Sequence, residues 1–565
     1  MNRGDAAAAT RMFRRRASSS VDVSMWQPRW CRVEAADDPC GGRASRDRRG
    51  RSRRDADARR FVSSDELLAL HATNSAMRDN DHFHNGAGFL AQHLRLDQMV
   101  LDSVQAVDAG VVTPYWDWTI ESKAVADGSL ASPFDTPLWS KEWFGSMNYA
   151  NDPAIVGPHY ALSLDEFFGR GFEAWAIRDG RWAFTKVKHF APGDEAKADV
   201  PTNSYGYLRA PWNNNPSPYV TRVNFRYKEG TPAKSWPTCT DLYAFLAPDS
   251  TALRFLTHLE DMDVHAAIHY ALGGTVMDVR KTEALVDAFT NVGSSAASCY
   301  QTVSERHLWR AHLSDMAETC DPTAAKTHET LDTCQLTCGE GKPADLLNVG
   351  KFAAEHYSCA RLTSGDDVAG SDFAPDENTD EDPVAEEIEE IKETHTDAQI
   401  GDLGKAVCGT TFLKGEHLEA SGTTDPSFFV VHPTLARYYQ MKRLMGEAAY
   451  VDDWAKAEED PKLACLPATG SCFSDKGVVS EAADCCAGHL PSSTYFLNSN
   501  RDVARTARTN AEIVDAASPH NARPDGLVFH HFRFEHCDED FSSLLRGERP
   551  AVVASRKARS SAMMA

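Results

Sequence analysis

The chain has 565 residues, of which 42% are hydrophobic, so it is long enough to bury a large core in roughly two to four domain-sized units. Its 82 acidic residues outnumber its 59 basic residues, and the resulting net charge of −23 opposes binding to phosphate backbones and anionic lipid surfaces. No apolar run approaches the ~20 residues that a membrane span needs. These features exclude nucleic acid as an expected partner and predict no membrane span.

The two ends of the chain differ from its centre. Residues 1–60 are basic and of low complexity, and they lack the apolar h-region of a signal peptide, so this segment is predicted to be disordered. The 14 cysteines include two clusters, at 320–359 and 465–486, which predict disulfide-stapled loops. Disulfides favour an oxidising compartment, so the protein is expected to be secreted or to reside in the lumen of the secretory pathway.

Helical patterns recur along the chain. The first helix is predicted at about 65–78, where a serine cap and an acidic first turn precede apolar residues at helical spacing. A second is predicted at about 88–107, and a long helical pattern covers 250–272. Residues 425–444 predict a helix started by a proline. Near the C-terminus, GLVFHHFRFEHC alternates apolar and polar residues over 526–537, which predicts a strand.

Six histidines fall into two trios, each with two or more members on predicted core-facing helices. One trio is His71, His84 and His93, and the other is His265, His269 and His432. His265 and His269 are four residues apart, a spacing that puts two side chains on one helix face with Cβ atoms ~5–6 Å apart, close enough to share a metal. Ligation by imidazoles without carboxylates suits copper better than calcium or magnesium, and zinc remains physically allowed.

The motifs around these histidines resemble those of the tyrosinase, catechol oxidase and haemocyanin family of type-3 copper proteins. At that family's first copper site, a histidine is followed nine residues later by a second histidine, which a Phe-Leu pair precedes, and then by PYWDW. The matching residues are His84, Phe89, Leu90, His93 and 114–118. The second site has H-x3-H-x3-GG followed by DPxFxxHH, and the matching residues are His265, His269, Gly273, Gly274, Asp425, Pro426, Phe428 and His432.

The resemblance implies a mainly α fold, an antiparallel four-helix bundle that holds a dicopper centre and carries long loop insertions. It assigns residues 61–450 to a tyrosinase-like domain with an acidic, Cys-bearing insertion at about 281–420, followed by a Cys-bearing C-terminal segment at 451–565. The six trio histidines would bind two copper ions, with dioxygen as co-substrate. Phe428 would pack over a ligand histidine and keep the pocket apolar, and PYWDW would hold the bundle rigid.

The activity that the resemblance implies is a copper-dependent oxidation of a small phenolic or catecholic substrate by dioxygen. Many tyrosinases carry an Asn directly after the first ligand of the second site, where it helps orient a water that deprotonates phenols, but this chain has Ala266. We therefore expect oxidation of o-diphenols to o-quinones, the reaction of a catechol oxidase, rather than hydroxylation of monophenols. Glu260 and Asp263 lie near enough in sequence to serve as a substitute base.

Other positions also depart from the family pattern. Many members have a Cys two residues before the second ligand, joined to it by a thioether, whereas this chain has His82 and cannot form that link. His82 also competes as a ligand, so the first ligand stays open between His71 and His82. The Arg and Asp expected near the two copper sites are Leu94 and Ala436; if these positions face each other, losing both charges costs less than losing one.

Two alternatives remain beside the oxidase. One is a dioxygen-binding, haemocyanin-like protein or an inactive homologue in which the insertion or the C-terminal segment shields the site; the other is a zinc-loaded or metal-free structural homologue. The C-terminal HHFRFEHC could also form a third metal site, but a strand and a disulfide at Cys537 explain this stretch as well.

Overall fold

The computed structural model describes residues 62–277, 395–464 and 488–548, each range with gaps, and short pieces between 284 and 351. Within these ranges the chain is mainly helical, as the sequence predicts. The helices used below are α1 (Ser64–Ser75), α2 (Phe89–Gln105), α3 (Thr119–Ala126), α4 (Leu164–Arg170), α5 (Phe172–Trp175), α6 (Cys239–Leu246), α7 (Ala252–His258), α8 (Ala267–Gly273), α9 (Asp397–Cys408), α10 (Phe428–Leu444), α11 (Asn510–Ala516) and α12 (Phe541–Leu545). The short strands are β1 (Leu162–Ser163), β2 (Ser250–Thr251), β3 (Thr275–Met277), β4 (Phe412–Lys414) and β5 (Tyr450–Val451). None of the helices in the described ranges is long and apolar enough to cross a membrane.

Helices α1 and α2 form where the sequence predicts them. The Ser63 hydroxyl accepts a hydrogen bond from the Glu66 backbone N–H, and the Glu66 carboxylate accepts one from the Ser63 backbone N–H, so α1 begins with a capping box. The helix ends at Ser75, three residues before the predicted end. Helix α2 lies within the predicted span of 88–107.

The helical pattern over 250–272 does not form one continuous helix. Ser250 and Thr251 form β2, α7 ends at His258, and after the turn at 259–260 the chain forms a π-helical turn over Met262–Ala266 before α8 begins. A π-helical turn widens the helix by one residue and is common at functional sites. Here it carries His265, the first residue of the second trio.

Helix α10 begins at Phe428, two residues after Pro426, so the expectation of a proline within the first helical turn is wrong. A different proline, Pro433, lies inside the helix near its N-terminal end. Fourteen of the 17 residues of α10 are buried, which makes it the central helix of the described fold.

The strand predicted over 526–537 is wrong, because the described residues of this stretch form no strand. Its alternation instead reflects burial against the core, into which the side chains of Leu527, Phe529 and Phe534 pack. The Arg437 guanidinium of α10 donates hydrogen bonds to the carbonyl oxygens of His531, at 3.3 Å, and Arg533, at 3.1 Å. The backbone of this stretch is therefore bound by a side chain rather than by a neighbouring strand.

One large apolar cluster joins the helices to the C-terminal part of the chain. Helix α2 packs against α7, α10 and α11. Leu94 of α2 and Ala436 of α10 are both buried in this cluster, together with Trp454, Val514 and Phe541. The described residues of 451–548 therefore share their core with the helices that precede them.

The PYWDW motif at 114–118 binds α10 directly. The Trp116 backbone N–H donates to the Val430 carbonyl oxygen at 2.9 Å, and the Thr434 hydroxyl donates to the Trp116 carbonyl oxygen at 2.8 Å. The buried Asp117 carboxylate pairs with the Arg437 guanidinium at 3.0 Å. These contacts agree with the expected role of the motif as a rigid support.

The double glycine after α8 permits a close approach of neighbouring backbone. Gly274 has a φ of +66°, and a Cβ atom there would lie 1.6 Å from the Val223 carbonyl oxygen. The chain then enters β3, which pairs parallel with β1 and antiparallel with β4, with Val276 opposite Leu413. Strand β4 leads into the 3-10 helix Glu416–Leu418, which lies against α8.

Three disulfides crosslink the described residues, which confirms part of the cysteine prediction. They join Cys239 to Cys537, Cys320 to Cys334 and Cys338 to Cys408. Such bonds are typical of an oxidising compartment. The remaining predicted cluster at 465–486, the basic segment 1–60 and the acidic stretch of the insertion lie outside the described residues.

Candidate metal centre

The first trio gathers two helical histidines and one loop histidine. His71 comes from α1 and His93 from α2, and both side chains are buried; His84 lies in the loop before α2 and is partly exposed. One ring nitrogen from each of the three residues lies within 4.8 Å of the other two. The sequence separates these residues by up to 22 positions. An apolar cluster that includes Leu67 of α1, Phe83 of the loop and Leu96 of α2 holds the three segments together.

The second trio gathers side chains from α8, from α10 and from the π-helical turn. The Nε2 atom of His265 lies 2.7 Å from Nε2 of His269 and 3.3 Å from Nε2 of His432. One ring nitrogen from each residue again lies within 4.8 Å of the others. The predicted i, i+4 pair therefore meets a histidine from a helix more than 160 residues away in sequence.

Backbone carbonyl oxygens fix the tautomer of four of these rings. The Nδ1 donors and their acceptors are His71 to Ala420 O at 2.6 Å, His93 to Phe89 O at 2.8 Å, His269 to His417 O at 2.6 Å and His432 to Phe428 O at 3.2 Å. A carbonyl oxygen can only accept, so each Nδ1 carries the proton and each Nε2 is left with a lone pair.

These lone pairs fit metal ions. The Nε2 atoms of His71 and His93 are buried and have no hydrogen-bond partner. In the second trio, the Nε2 lone pair of His269 lies 2.7 Å from the Nε2 atom of His265, which in turn lies 3.3 Å from the Nε2 atom of His432. Buried polar atoms are otherwise paired in folded proteins. Each trio can therefore hold one ion, and the all-imidazole donor set suits copper.

Burial keeps these imidazoles neutral. Desolvation, together with the nearby His84, lowers the pKa of His71 to about 3. Desolvation, reinforced by neighbouring histidines, also holds the pKa values of His93, His265, His269 and His432 well below the ordinary value. A histidine must be neutral to bind a metal, so the rings are ready as ligands at neutral pH.

Two phenylalanine rings lie between the trios. The ring of Phe428 lies 3.9 Å from the ring of His432 and 5.2 Å from that of His71, measured between centroids. Phe89 lies 4.4 Å from His93 and 5.3 Å from His265. The expected position of Phe428 against a histidine of the site is observed. Both phenylalanine side chains are buried and give the space beside the histidines an apolar wall.

A chain of hydrogen bonds supports His269 from the rear. The His417 ring donates from Nε2 to the Ser427 hydroxyl at 2.8 Å, and that hydroxyl donates to the Asp425 carboxylate at 2.7 Å. Burial would raise the pKa of Asp425, but the Arg222 guanidinium holds it well below its usual range, so the chain ends on a carboxylate anion. His417 in turn accepts the Nδ1 proton of His269 through its carbonyl oxygen.

The remaining candidates lie around the trios. His82 is buried, and its backbone N–H donates to the Asn74 carbonyl oxygen at 3.0 Å; it does not belong to the group formed by His71, His84 and His93. Ala266 directly follows His265 and is partly exposed. Glu260 lies in the turn that precedes the π-helical turn, five residues before His265.

The possible third metal site near the C-terminus is explained by a disulfide. Ligand atoms of Cys239, His536 and Cys537 lie within 4.8 Å of one another, but the two cysteines are bonded to each other and offer no thiolate. The His536 Nε2 atom instead lies 2.8 Å from the Thr119 hydroxyl.

Sequence reasoning missed residues that support the trios. Asp81 binds the ring of His84, and its position three residues earlier, where an Asp side chain commonly closes a turn, is a signal that the sequence does contain. Phe89 was part of a motif without an assigned place beside the histidines. His417 carries no recognisable signal, because its contact with His269 depends on the packing of the 3-10 helix Glu416–Leu418 against α8.

Comparisons with known proteins agree with this site. Residues 62–288 match the family model described as the common central domain of tyrosinase, a range that contains five of the six trio histidines and excludes His432. A tyrosinase from Streptomyces antibioticus is 26% identical over 160 residues, which cover 27% of this chain and 51% of the relative. A tyrosinase from Streptomyces glaucescens is 25% identical over 162 residues, with the same coverage of 27% and 51%. The chain thus spans about half the length of the curated relatives that it matches.

Proposed function

We propose, from the membership of residues 62–288 in the tyrosinase-like family of type-3 copper proteins, that this protein is a copper-dependent oxidoreductase that oxidises o-diphenols to o-quinones with dioxygen. The observation that carries the proposal is the convergence of two trios of imidazoles without a carboxylate among their members. In this proposal the ligands are the six trio histidines, and His71 rather than His82 is the first of them.

The reaction balances without a further reductant. Oxidation of two o-diphenols to two o-quinones releases four electrons and four protons, and these reduce one dioxygen to two waters. Copper bound at the two trios would supply the binding and reduction of dioxygen. The substrate would supply all of the electrons.

The chain itself positions the ligands and keeps the site dry. The Nδ1–H bonds to backbone carbonyls hold the rings with Nε2 directed inward. Loss of a hydrogen bond that supports a metal ligand in this way typically lowers metal affinity or activity ~10–100-fold. Phe89 and Phe428 cover the rings on their apolar sides. The buried pair of Arg222 and Asp425 anchors the chain of hydrogen bonds that reaches His269.

The preference for o-diphenols rests on Ala266. Its methyl group follows His265 directly and has no polar atom with which to orient a water. A monophenol must lose its proton before it can be hydroxylated, whereas an o-diphenol needs no hydroxylation step. Glu260, five residues before His265, remains the proposed substitute base if monophenols do react.

A second candidate is a dioxygen-binding or shielded homologue. The observation that favours it is the contact of Gly488 and His489, from the C-terminal segment, with the loop that carries His84. This contact restricts approach to the first trio from that side. The three disulfides support a proposal that the protein resides in the secretory pathway or outside the cell.

The test is oxygen uptake by the copper-loaded full-length chain, first with a catechol and then with a monophenol. Uptake with the catechol alone supports the proposed o-diphenol oxidase. Uptake with both substrates contradicts the role given to Ala266. Two bound copper ions without uptake favour the second candidate, and the absence of copper binding by the purified chain contradicts both.

A further inference from the structure

His84 differs from the other members of the two trios in how the fold holds it. The other five residues lie on helices or on the π-helical turn, whose backbone hydrogen bonds fix the direction of each side chain. His84 lies at a bend in the loop between α1 and α2, outside any helix or strand. A ligand on such a loop needs a separate support.

The Asp81 carboxylate gives this support. Its Oδ1 atom accepts hydrogen bonds from the backbone N–H groups of Phe83, at 3.0 Å, and His84, at 2.9 Å. The Nδ1 atom of the His84 ring lies 3.1 Å from Oδ1 and 3.2 Å from Oδ2 of the same carboxylate. The Asp81 side chain is 5% exposed, so water screens the contact little. One carboxylate therefore fixes both the loop backbone and the ring.

The partner of His84 also differs in charge from the partners of the other rings. His71, His93, His269 and His432 donate their Nδ1 protons to neutral carbonyl oxygens. A carboxylate acceptor makes a stronger, charge-assisted hydrogen bond and raises the basicity of a ligand imidazole. We therefore expect the Nε2 atom of His84 to be more basic towards a metal ion than the Nε2 atoms of those four rings.

The C-terminal segment holds Asp81 in place from the other side. His489 is buried, and its Nε2–H donates to the Asp81 carbonyl oxygen at 3.1 Å. The Trp454 indole N–H donates to the His489 carbonyl oxygen at 3.1 Å, which anchors His489 itself. A Cβ atom on Gly86 would lie 2.7 Å from the His489 Nδ1 atom, so the loop and this ring are in close contact.

We propose that Asp81 is the positioning residue for His84, and that His489 from the C-terminal segment fixes the backbone of Asp81. This inference rests on the proposed function, since it assigns His84 to a copper ion. This chain has His82 where a thioether-forming Cys would stand. The contact with Asp81 would hold the loop histidine without a covalent bond. It also makes the two copper sites unequal: in the first trio a carboxylate bonds a ring directly, whereas in the described contacts of the second trio the Asp425 carboxylate reaches His269 through His417 and Ser427.

The test is a Cu(I) titration of the full-length protein without oxygen, in competition with a chromophoric Cu(I) chelator. Wild type is compared with Asp81→Asn and Asp81→Ala. The asparagine oxygen can still accept the backbone N–H groups but brings no charge to the ring, whereas alanine removes both. The matched control is Asp179→Asn, the same change at a partly buried carboxylate that accepts the backbone N–H of Ser146 at 2.7 Å.

Wild type and the control should bind two copper ions. In Asp81→Asn one of the two sites should weaken about 10-fold, in Asp81→Ala by up to about 100-fold, and the other site should stay unchanged. His489→Ala should weaken the same site by a smaller factor, and His489→Gln, which keeps an N–H donor, should recover part of the loss. Thermal unfolding of the metal-free variants reports whether each has folded.

Unchanged affinity at both sites in a folded Asp81→Ala variant would overturn the inference. Equal weakening of both sites would also overturn it, because that result indicates a general loss of structure. If Asp81→Ala does not fold, Asp81→Asn decides, since it retains the turn. Failure of wild type to bind two copper ions would instead contradict the proposed function, and the inference with it.

Discussion

His93 and His432 lie face to face, with ring centroids 4.3 Å apart and planes inclined by 14°. They belong to different trios and to different helices, yet each donates its Nδ1 proton to the carbonyl oxygen of a phenylalanine four residues earlier on its own helix. Those residues, Phe89 and Phe428, are also the two whose rings lie between the trios. The sequences FLAQH and FFVVH thus build the same unit twice, once on α2 and once on α10, and the stacked rings join the two halves of the site.

Removal of a ligand should abolish activity and spare the fold. In His93→Ala or His269→Ala, one trio loses a Nε2 donor, and we expect oxygen uptake with catechol to fall to background while circular dichroism remains that of wild type. The control is His258→Ala, which removes a partly exposed histidine of α7 that bonds the Arg254 carbonyl oxygen and belongs to neither trio. Full activity of copper-replete His269→Ala would refute its assignment as a ligand.

An asparagine at position 266 should extend the substrate range. Ala266→Asn adds an amide next to His265 that can orient a water, so we expect the ratio of monophenol to diphenol turnover to rise by about 10-fold, less than the ~10²–10⁴-fold contribution of a side chain that itself acts as the acid or base. Ala266→Leu has a similar volume without a polar atom and should not raise the ratio. An equal change in both variants would show that size, and not the amide, matters here.

The stability contributed by Glu121 should depend on pH. Burial raises the pKa of Glu121 to about 8 from an ordinary value of 4.5, and its carboxyl group accepts the indole N–H of Trp116 at 3.1 Å. Because the folded-state pKa is raised, this contribution is fully present below pH 4.5 and is lost as the pH rises towards 8. Glu121→Gln keeps the acceptor and cannot ionise. It should therefore stabilise the protein by ~1–3 kcal/mol near pH 8 and have little effect at acidic pH.

Urea unfolding at both pH values measures this difference. Exposed Glu512→Gln serves as the control, since its carboxylate caps α11 at the surface. A gain in the free energy of unfolding for Glu121→Gln that is the same at both pH values would contradict the assignment of the effect to ionisation.

The buried pair of Arg222 and Asp425 should be costly to break. Arg222 binds both carboxylate oxygens, at 2.6 and 2.7 Å, and both side chains are buried. Arg222→Met leaves the carboxylate buried and unpaired, and we expect a loss of ~3–5 kcal/mol in the free energy of unfolding. The double variant Arg222→Met with Asp425→Leu should lose less, because no charge is left alone. An unchanged urea midpoint in the single variant would contradict this account.

Removal of the C-terminal segment should unfold the protein rather than uncover its site. Trp454, Val514 and Phe534 are buried in the same core as α2 and α10, so deletion of residues 451–565 would expose apolar surface. We expect loss of cooperative thermal unfolding. The double variant Cys239→Ser and Cys537→Ser removes only the crosslink and should unfold cooperatively at a lower temperature. A folded, more active truncated protein would favour the shielded homologue.

The sequence by itself predicted the six histidines that meet in the two trios, and it predicted the helices that carry most of them. Local signals were sufficient for α1 and α2, because the capping box at Ser63 and the apolar spacing of α2 act within a few residues. The spacing of His265 and His269 and the PYWDW motif also belong to the local sequence. Family resemblance joined these pieces into a predicted dicopper site.

Only the tertiary structure decided how the site is held together. The π-helical turn at His265 replaces part of a continuous helical pattern, and the alternation at 526–537 reflects burial against α10 rather than strand pairing. The structure brings His71, and not His82, together with His84 and His93 in the first trio. It also joins residues that are distant in sequence, since His417 supports His269 and His489 binds Asp81. Periodicity describes which face of a segment is apolar, but it carries no information on which distant backbone or side chain will cover that face.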